Sequence, residues 1–493
     1  MTNTALDKYR APLYEALDAH ARLEARAFHV PGHKQHAAWE DELAASYYGS
    51  VLALDLTELS DTDDLHHPEG PLADAQRLAA DCWGADETRF LVGGSTAGNL
   101  AMIIGICDPG DLIILQRNVH KSVIHGLMMA GARAVMLPPD IDPVSGLATA
   151  PRDQLLKAAL EQYPEAKAVI LSAPNYYGMS PDLNSLIQLA HEYGIPVLVD
   201  EAHGPHFGFH PAFPTSALHA GADIVVQSTH KMLSAMTMGA MLHMQGNRIP
   251  RESVRQALTM VQSSSPSFPI MASLDLARRQ LHTLGANAFH SALEAVELVT
   301  AQLDSTPFRA LGYGEYANNE ITYDPLKLVL FDKSGKQNGF ELRDALLKRK
   351  CVAEMADSRC VVMAFGTGST LSDGESLMAA LKDIANHTYT GIIPSITREN
   401  NPALQSNNEI HIPEPIVFTR HIFPVQTVPL DHSVGLTAAE WVIPYPPGIP
   451  VLYPGETITS DIVKQLQHWK HEGAQIQGAQ DPELQFIQVQ SKT

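Results

Sequence analysis

The chain has 493 residues, with 34 lysines plus arginines against 55 aspartates plus glutamates and a formal net charge of -21. That acidity excludes long-range attraction to nucleic-acid phosphates or anionic lipid, and no stretch approaches the ~18 consecutive apolar residues of a membrane-spanning helix. The length implies one large domain with smaller ones attached, and Cys82, Cys107, Cys351 and Cys360 form no CxxC pair, so they read as reduced thiols of a cytoplasmic protein.

Residues 1–27 read as a helical segment without the uninterrupted apolar core of a secretory signal. Between Thr88 and His243 the strand-sized apolar blocks RFLV, DLIIL, RAVML, AVILS, PVLVD, DIVVQ and AMLHM alternate with helical patterns at 98–106, 122–130 and 183–193. That alternation predicts an α/β domain over 28–285, with a mostly parallel seven-stranded sheet and helices on both faces. Residues 274–302 read as one long helix leaving it. DPLKLVLFD and RCVVMAF read as strands, and FELRDALLKR and GESLMAALKDIANH as helices, of a smaller α/β domain over 286–394. Residues 395–415, rich in Pro and Asn, read as a linker, and 416–493 as a C-terminal subdomain whose Gln-rich tail after Gly473 is expected to fray.

In parallel sheets ligands bind beyond the carboxyl ends of the strands, so the residues just after each apolar block are the candidates for chemistry. After RFLV comes GGSTAGNL, where helix-start amides with Ser95 and Thr96 suit a phosphate, although an ordinary helix cap has the same sequence. His120 follows DLIIL, Asp200 ends PVLVD, and Ser228, Thr229, His230 and Lys231 follow DIVVQ. Singly these are a capping serine, a surface histidine, a salt-bridged aspartate and a snorkelling lysine. Together they match the needs of pyridoxal 5'-phosphate: a phosphate cup from Ser95, Thr96 and Ser228, a flat group from His120, an acid for the pyridine nitrogen from Asp200, and Lys231 for the Schiff base.

The motifs FHVPGHK (28–34), DLTELSDTDDLHHPEGPLADAQ (55–76), GGSTAGN, RNVHKS, VDEAHG, STHK, SSSPSFPIMASLD (263–275) and PYPPGIPVLYPGE (444–456) resemble, in order and spacing, those of the ornithine/lysine/arginine decarboxylase family in its short form. The resemblance covers nearly the whole chain. It implies a fold type I (aspartate aminotransferase-like) enzyme, decarboxylating lysine or arginine, or else ornithine, to a polyamine precursor. It further implies His230 beside phosphate and substrate, His203 near the ring, Asn175 near the cofactor's phenolic oxygen, and Ser264 or Ser265 reaching the phosphate across a subunit boundary. Glu456 is the expected partner of the substrate's distal cation, while a Glu just before a helix is also an ordinary cap. The chain starts almost at once with FHVPGHK, without the N-terminal wing of long members, which favours a homodimer or a pair of dimers over a decamer.

Other readings stay open. His203, His206 and His210 lie close together as in a metal-dependent hydrolase, but without the helical ligand spacing of HExxH, and that reading leaves Asp200 and Lys231 without a role, so no metal is expected. A non-catalytic partner of an active decarboxylase, or a fold type I aminotransferase or aldolase-type cleavage, uses many of the same residues.

Overall fold

The structure, a computed structural model, describes residues 7–491 apart from 24, 37–38, 389–410, 421–423, 446–448 and 472. In chain order it begins with helices α1 (Pro12–Ala21), α2 (Glu42–Leu54) and α3 (Pro71–Trp83), followed by β1 (Glu87–Leu91) and α4 (Gly94–Ile104). Next come β2 (Leu112–Gln116), α5 (Lys121–Ala130), β3 (Arg133–Leu137), α6 (Asp153–Gln162), β4 (Ala168–Ser172), β5 (Met179–Pro181) and α7 (Leu183–Glu192). The chain continues through β6 (Val197–Asp200), β7 (Ile224–Gln227), α8 (Thr229–Met232), β8 (Ala240–Met244), α9 (Arg251–Val261) and α10 (Phe268–Leu284).

Its contacts divide the chain into two compact units, 1–106 with 196–290 and 366–368, and 107–195 with 291–365 and 369–493. This division runs through the 28–285 segment. In the first unit the strands lie in the order β1, β8, β7, β6, with β6 and β7 parallel and β8 antiparallel to both β7 and β1. In the second, β4, β2 and β3 run parallel. All seven apolar blocks form strands. Residues of β2, β6, β7 and β8 are buried throughout, which is why these strands read as continuous apolar runs rather than alternating ones.

Beyond α10 the chain departs from the expected single helix. Gly285, at a φ of +53°, ends α10 and opens a 3₁₀ turn, after which α11 (His290–Thr300) starts afresh. The second unit then builds an antiparallel sheet from β9 (Phe308–Ala310), β11 (Lys327–Asp332), β12 (Met355–Ala356) and β13 (Cys360–Ala364), while β10 (Ile321–Tyr323) pairs with β5. Helices α12 (Gly339–Leu347) and α13 (Leu371–Thr388) follow the predicted patterns. Most of the expected linker, 395–410, lies outside the described residues; β14 (Ile416–Val417) follows and pairs with β3.

The C-terminal segment holds β15 (Val425–Pro429), β16 (Ile443–Tyr445), α14 (Ser460–His471), β17 (Gln475–Gln477) and β18 (Phe486–Gln490). The tail does not fray as expected. β18 pairs antiparallel with β15 along its whole length, and Ile487 and Val489 are buried in the local core. In its sequence FIQVQ the burial alternates with period two, Ile487 and Val489 anchoring one face while Phe486, Gln488 and Gln490 lie on the other.

Candidate active site

β6 and β7 are apolar and buried, so the first polar groups past their ends mark the carboxyl edge of the sheet. Asp200, the last residue of β6, is 4% exposed. Its Oδ2 accepts a hydrogen bond from Asn99 Nδ2 at 2.7 Å, and its Oδ1 accepts from the Ala202 backbone N–H at 3.1 Å. A buried carboxylate needs such donors. Asn99 reaches it because α4 lies close on the sheet at Gly98, where a Cβ would stand 2.7 Å from Val226 Cγ1 and 2.9 Å from Leu91 Cδ1.

From the end of β7 the chain turns into the short helix α8. Lys231 Nζ lies 2.9 Å from His203 Nε2, and His230 Nδ1 lies 2.9 Å from the Gly239 carbonyl oxygen, to which it must donate. Ser228 Oγ and Thr229 Oγ1 are buried with no hydrogen-bond partner among the described residues. Leaving a buried hydroxyl unpaired costs roughly 1–3 kcal/mol, which a bound group offering acceptor oxygens would recover. A phosphate fits that description. At the start of α4, Gly94 adopts a φ of +69°, Ser95 is half-buried and Thr96 is exposed. Ser264 and Ser265 lie exposed in the loop between α9 and α10. The residues present therefore suit pyridoxal 5'-phosphate: an acid held by an amide, a lysine beside a histidine, and unpaired hydroxyls next to a helix start.

Behind Asp200, on the other face of β6, runs a buried polar chain that sequence reading missed. Thr88 Oγ1 lies 2.8 Å from His243 Nδ1, His243 Nε2 lies 3.2 Å from Gln227 Oε1, and Gln227 Nε2 donates to Glu201 Oε2 at 2.7 Å. Glu201 Oε1 accepts from the Ala217 N–H at 2.7 Å. Burial pushes the Glu201 carboxyl up to about 8 against these hydrogen bonds, and pushes His243 down to about 3, so the imidazole is neutral at physiological pH. The neutral ring then accepts from Thr88 at Nδ1 and donates from Nε2 to Gln227.

In the second unit His120 caps α5: its Nδ1 accepts from the Ser122 N–H at 3.2 Å and lies 2.8 Å from Ser122 Oγ. Asn175 Oδ1 accepts from the Tyr177 and Met179 N–H groups of its own turn at 3.0 Å each, and its Nδ2 donates to the more distant Ala148 O at 2.9 Å. Glu456 is paired with an arginine of its own unit. Arg117 Nη2 donates to its two oxygens at 2.7 and 2.9 Å, and burial raises the carboxyl's pKa against the pull of that guanidinium. The other clustered histidines are engaged in packing: His206 lies edge-on to Phe207 and Phe213, and His210 tilts against Phe213.

The fold and these strand ends define a fold type I α/β protein with a lysine at the carboxyl edge of its sheet. The chain belongs to the Orn/Lys/Arg decarboxylase family: residues 11–307 match that family's major domain and residues 420–489 its C-terminal domain. Among its relatives, a protein of Bacillus subtilis described as uncharacterized protein YaaO is 41% identical over 95% of this chain and 96% of its own. An arginine decarboxylase of Bacillus anthracis is 33% identical over 98% of both chains. Among solved structures, the lysine decarboxylase LdcF of Francisella novicida superposes with a TM-score of 0.81 at 20% identity, covering 98% of this chain and 81% of that one.

Proposed function

We propose that the protein catalyses the pyridoxal-5'-phosphate-dependent decarboxylation of a basic L-amino acid, with arginine ahead of lysine and ornithine. The observation that carries this reading is the pairing at two neighbouring strand ends, where Asp200 is buried and held by Asn99 and Lys231 sits 2.9 Å from His203. Arginine is placed first because the relative 33% identical over 98% of this chain is an arginine decarboxylase.

When bound, the cofactor supplies an electron sink for the pair left behind as carbon dioxide departs. Asp200 would face its ring nitrogen, Ser95, Thr96 and Ser228 its phosphate, and Lys231 would hold it covalently. In this reading His120 stacks on the ring, Asn175 sits by the phenolic oxygen, and Ser264 or Ser265 serves a phosphate on the neighbouring subunit. Lys231 Nζ, resupplied by His203 or with His230 in its place, delivers the proton that replaces the carboxylate on the α-carbon. A cytoplasmic homodimer belongs to the same proposal. In its support, α2 buries none of its 13 residues while Leu43, Tyr47 and Tyr48 are exposed, an apolar face of the kind that protein contacts cover. Burial also holds the Cys82 and Cys107 thiols up at about 12, as inert protonated groups.

The test is to load the protein with pyridoxal 5'-phosphate, reduce with borohydride and locate the modified peptide, then offer arginine, lysine and ornithine separately. The expected result is label on Lys231, and carbon dioxide with the matching amine from one substrate. Cofactor on Lys231 with no carbon dioxide from any of the three would keep the cofactor site and remove the decarboxylase.

A further inference from the structure

Glu456 sits in the C-terminal signature, yet its side chain points into a dense clamp around Arg117. Besides the two bonds to Glu456, Arg117 Nη2 donates to Val451 O at 2.7 Å, and its guanidinium lies 4.8 Å from the centre of the Tyr453 ring. Tyr453, fully buried, returns a hydrogen bond from its hydroxyl to the Arg117 carbonyl at 2.8 Å. Main chain and side chain of Arg117 are thereby fixed by the same short segment, 451–456.

Arg117 immediately follows β2 and stands three residues before His120. A second contact grips the far side of that loop. His125, on α5, packs edge-on to Trp441 at 5.2 Å, and Trp441 in turn packs edge-on to Tyr453 at 5.7 Å. His120 caps the helix between these two attachments. The pair joins one guanidinium nitrogen, Nη2, to both carboxylate oxygens, and with the two side chains only 25% and 13% exposed it is less screened by solvent than a surface pair.

We propose that Glu456 is a positioning residue: through Arg117 it fixes the loop that carries His120, and it does not contact the distal cation of the substrate. This deepens the function proposed above and rests on its reading of His120 as a group against the cofactor ring. Glu456 then acts on cofactor binding, and the substrate's cation is met elsewhere.

The test uses the full-length protein, stripped of cofactor and titrated with pyridoxal 5'-phosphate by visible absorbance, with KM and kcat for arginine measured on the reloaded enzyme. Glu456→Gln removes the charge from the pair. Losing a charge-assisted bond is worth roughly 1.5–3 kcal/mol, so the cofactor dissociation constant should rise ~10-fold or more while KM changes by less than about 3-fold. Tyr453→Phe keeps the ion pair and removes only what the hydroxyl contributes, its bond to the Arg117 carbonyl and the longer bond it accepts from Arg117 Nη1 at 3.3 Å, and should shift the cofactor constant the same way by a few fold. Arg117→Met combined with Glu456→Gln should be no worse than the poorer single variant, because both break one clamp. A KM raised ~100-fold or more with an unchanged cofactor constant would overturn the proposal in favour of direct substrate contact, and so would no change in either quantity. If wild type binds cofactor but releases no carbon dioxide, the decarboxylase reading fails while the cofactor constants still decide the role of Glu456.

Discussion

Replacing Glu201 by Gln isolates a single buried ionisation. Glu201 is 1% exposed, and burial raises its carboxyl from 4.5 to about 8. In the unfolded chain it ionises near its ordinary value, so the folded state binds a proton that the unfolded state releases. The resulting stability is fully present below pH 4.5 and is lost as pH rises to about 8. A shift of that size corresponds to about 5 kcal/mol in total, with about 2 kcal/mol of it falling between pH 6 and 7.5. Glu201→Gln has no such titration. It also changes the hydrogen-bond polarity of the chain through Gln227, His243 and Thr88, because an amide nitrogen must replace one acceptor oxygen. That cost is a constant offset, the same at every pH in this window, and the slope carries the test. Urea unfolding of both proteins at matched m-values between pH 6 and 7.5 should show the variant gaining on wild type by about 2 kcal/mol. Parallel pH profiles would refute a protonated, buried Glu201.

Ser228→Ala removes a buried hydroxyl with no partner among the described residues, so the cofactor-free protein should gain about 1 kcal/mol of stability while affinity for pyridoxal 5'-phosphate falls; thermal melting and absorbance titration read the two opposite signs. Asn99→Ala withdraws the donor from Asp200 Oδ2 and should weaken cofactor binding ~10-fold or more, measured by the same titration. Gly98→Ala forces a methyl against Val226 and Leu91 and should cost about 1–3 kcal/mol in unfolding free energy, and it should also weaken cofactor binding because Asn99 moves with it. Val489→Asp places a charge in the buried face of β18 and should release the C-terminal strand pair to proteolysis at a concentration of protease that leaves wild type intact.

The parallel strands were legible because strands buried on both faces are written as unbroken apolar runs. The groups at their ends were legible because a polar side chain at the end of such a run is costly to bury unless a ligand or a partner meets it. Asp200 and Lys231 fall in this class. Their supports were not legible. Asn99 sits inside the GGSTAGN block, but nothing in its spacing says that its amide turns toward Asp200 rather than solvent. Glu201 follows Asp200 in the chain and therefore points to the opposite face of β6, where it meets Gln227 and, through it, His243. Arg117 and Glu456 are 339 residues apart, and their pairing leaves no local signature in the sequence. The break at Gly285 and the strand at 486–490 were within reach: a glycine inside a helical pattern and a period-two FIQVQ are ordinary signals, outweighed by the length of the pattern around the first and the glutamines around the second.

Release of labelled carbon dioxide from arginine labelled at its carboxyl carbon, by cofactor-loaded wild type and by Lys231→Ala side by side, tests the central claim most directly. The account predicts steady release by wild type with one agmatine formed per carbon dioxide, and none by the variant. Release undiminished in Lys231→Ala, or wild type that binds the cofactor and leaves the carboxyl label of arginine, lysine and ornithine alike untouched, would contradict it.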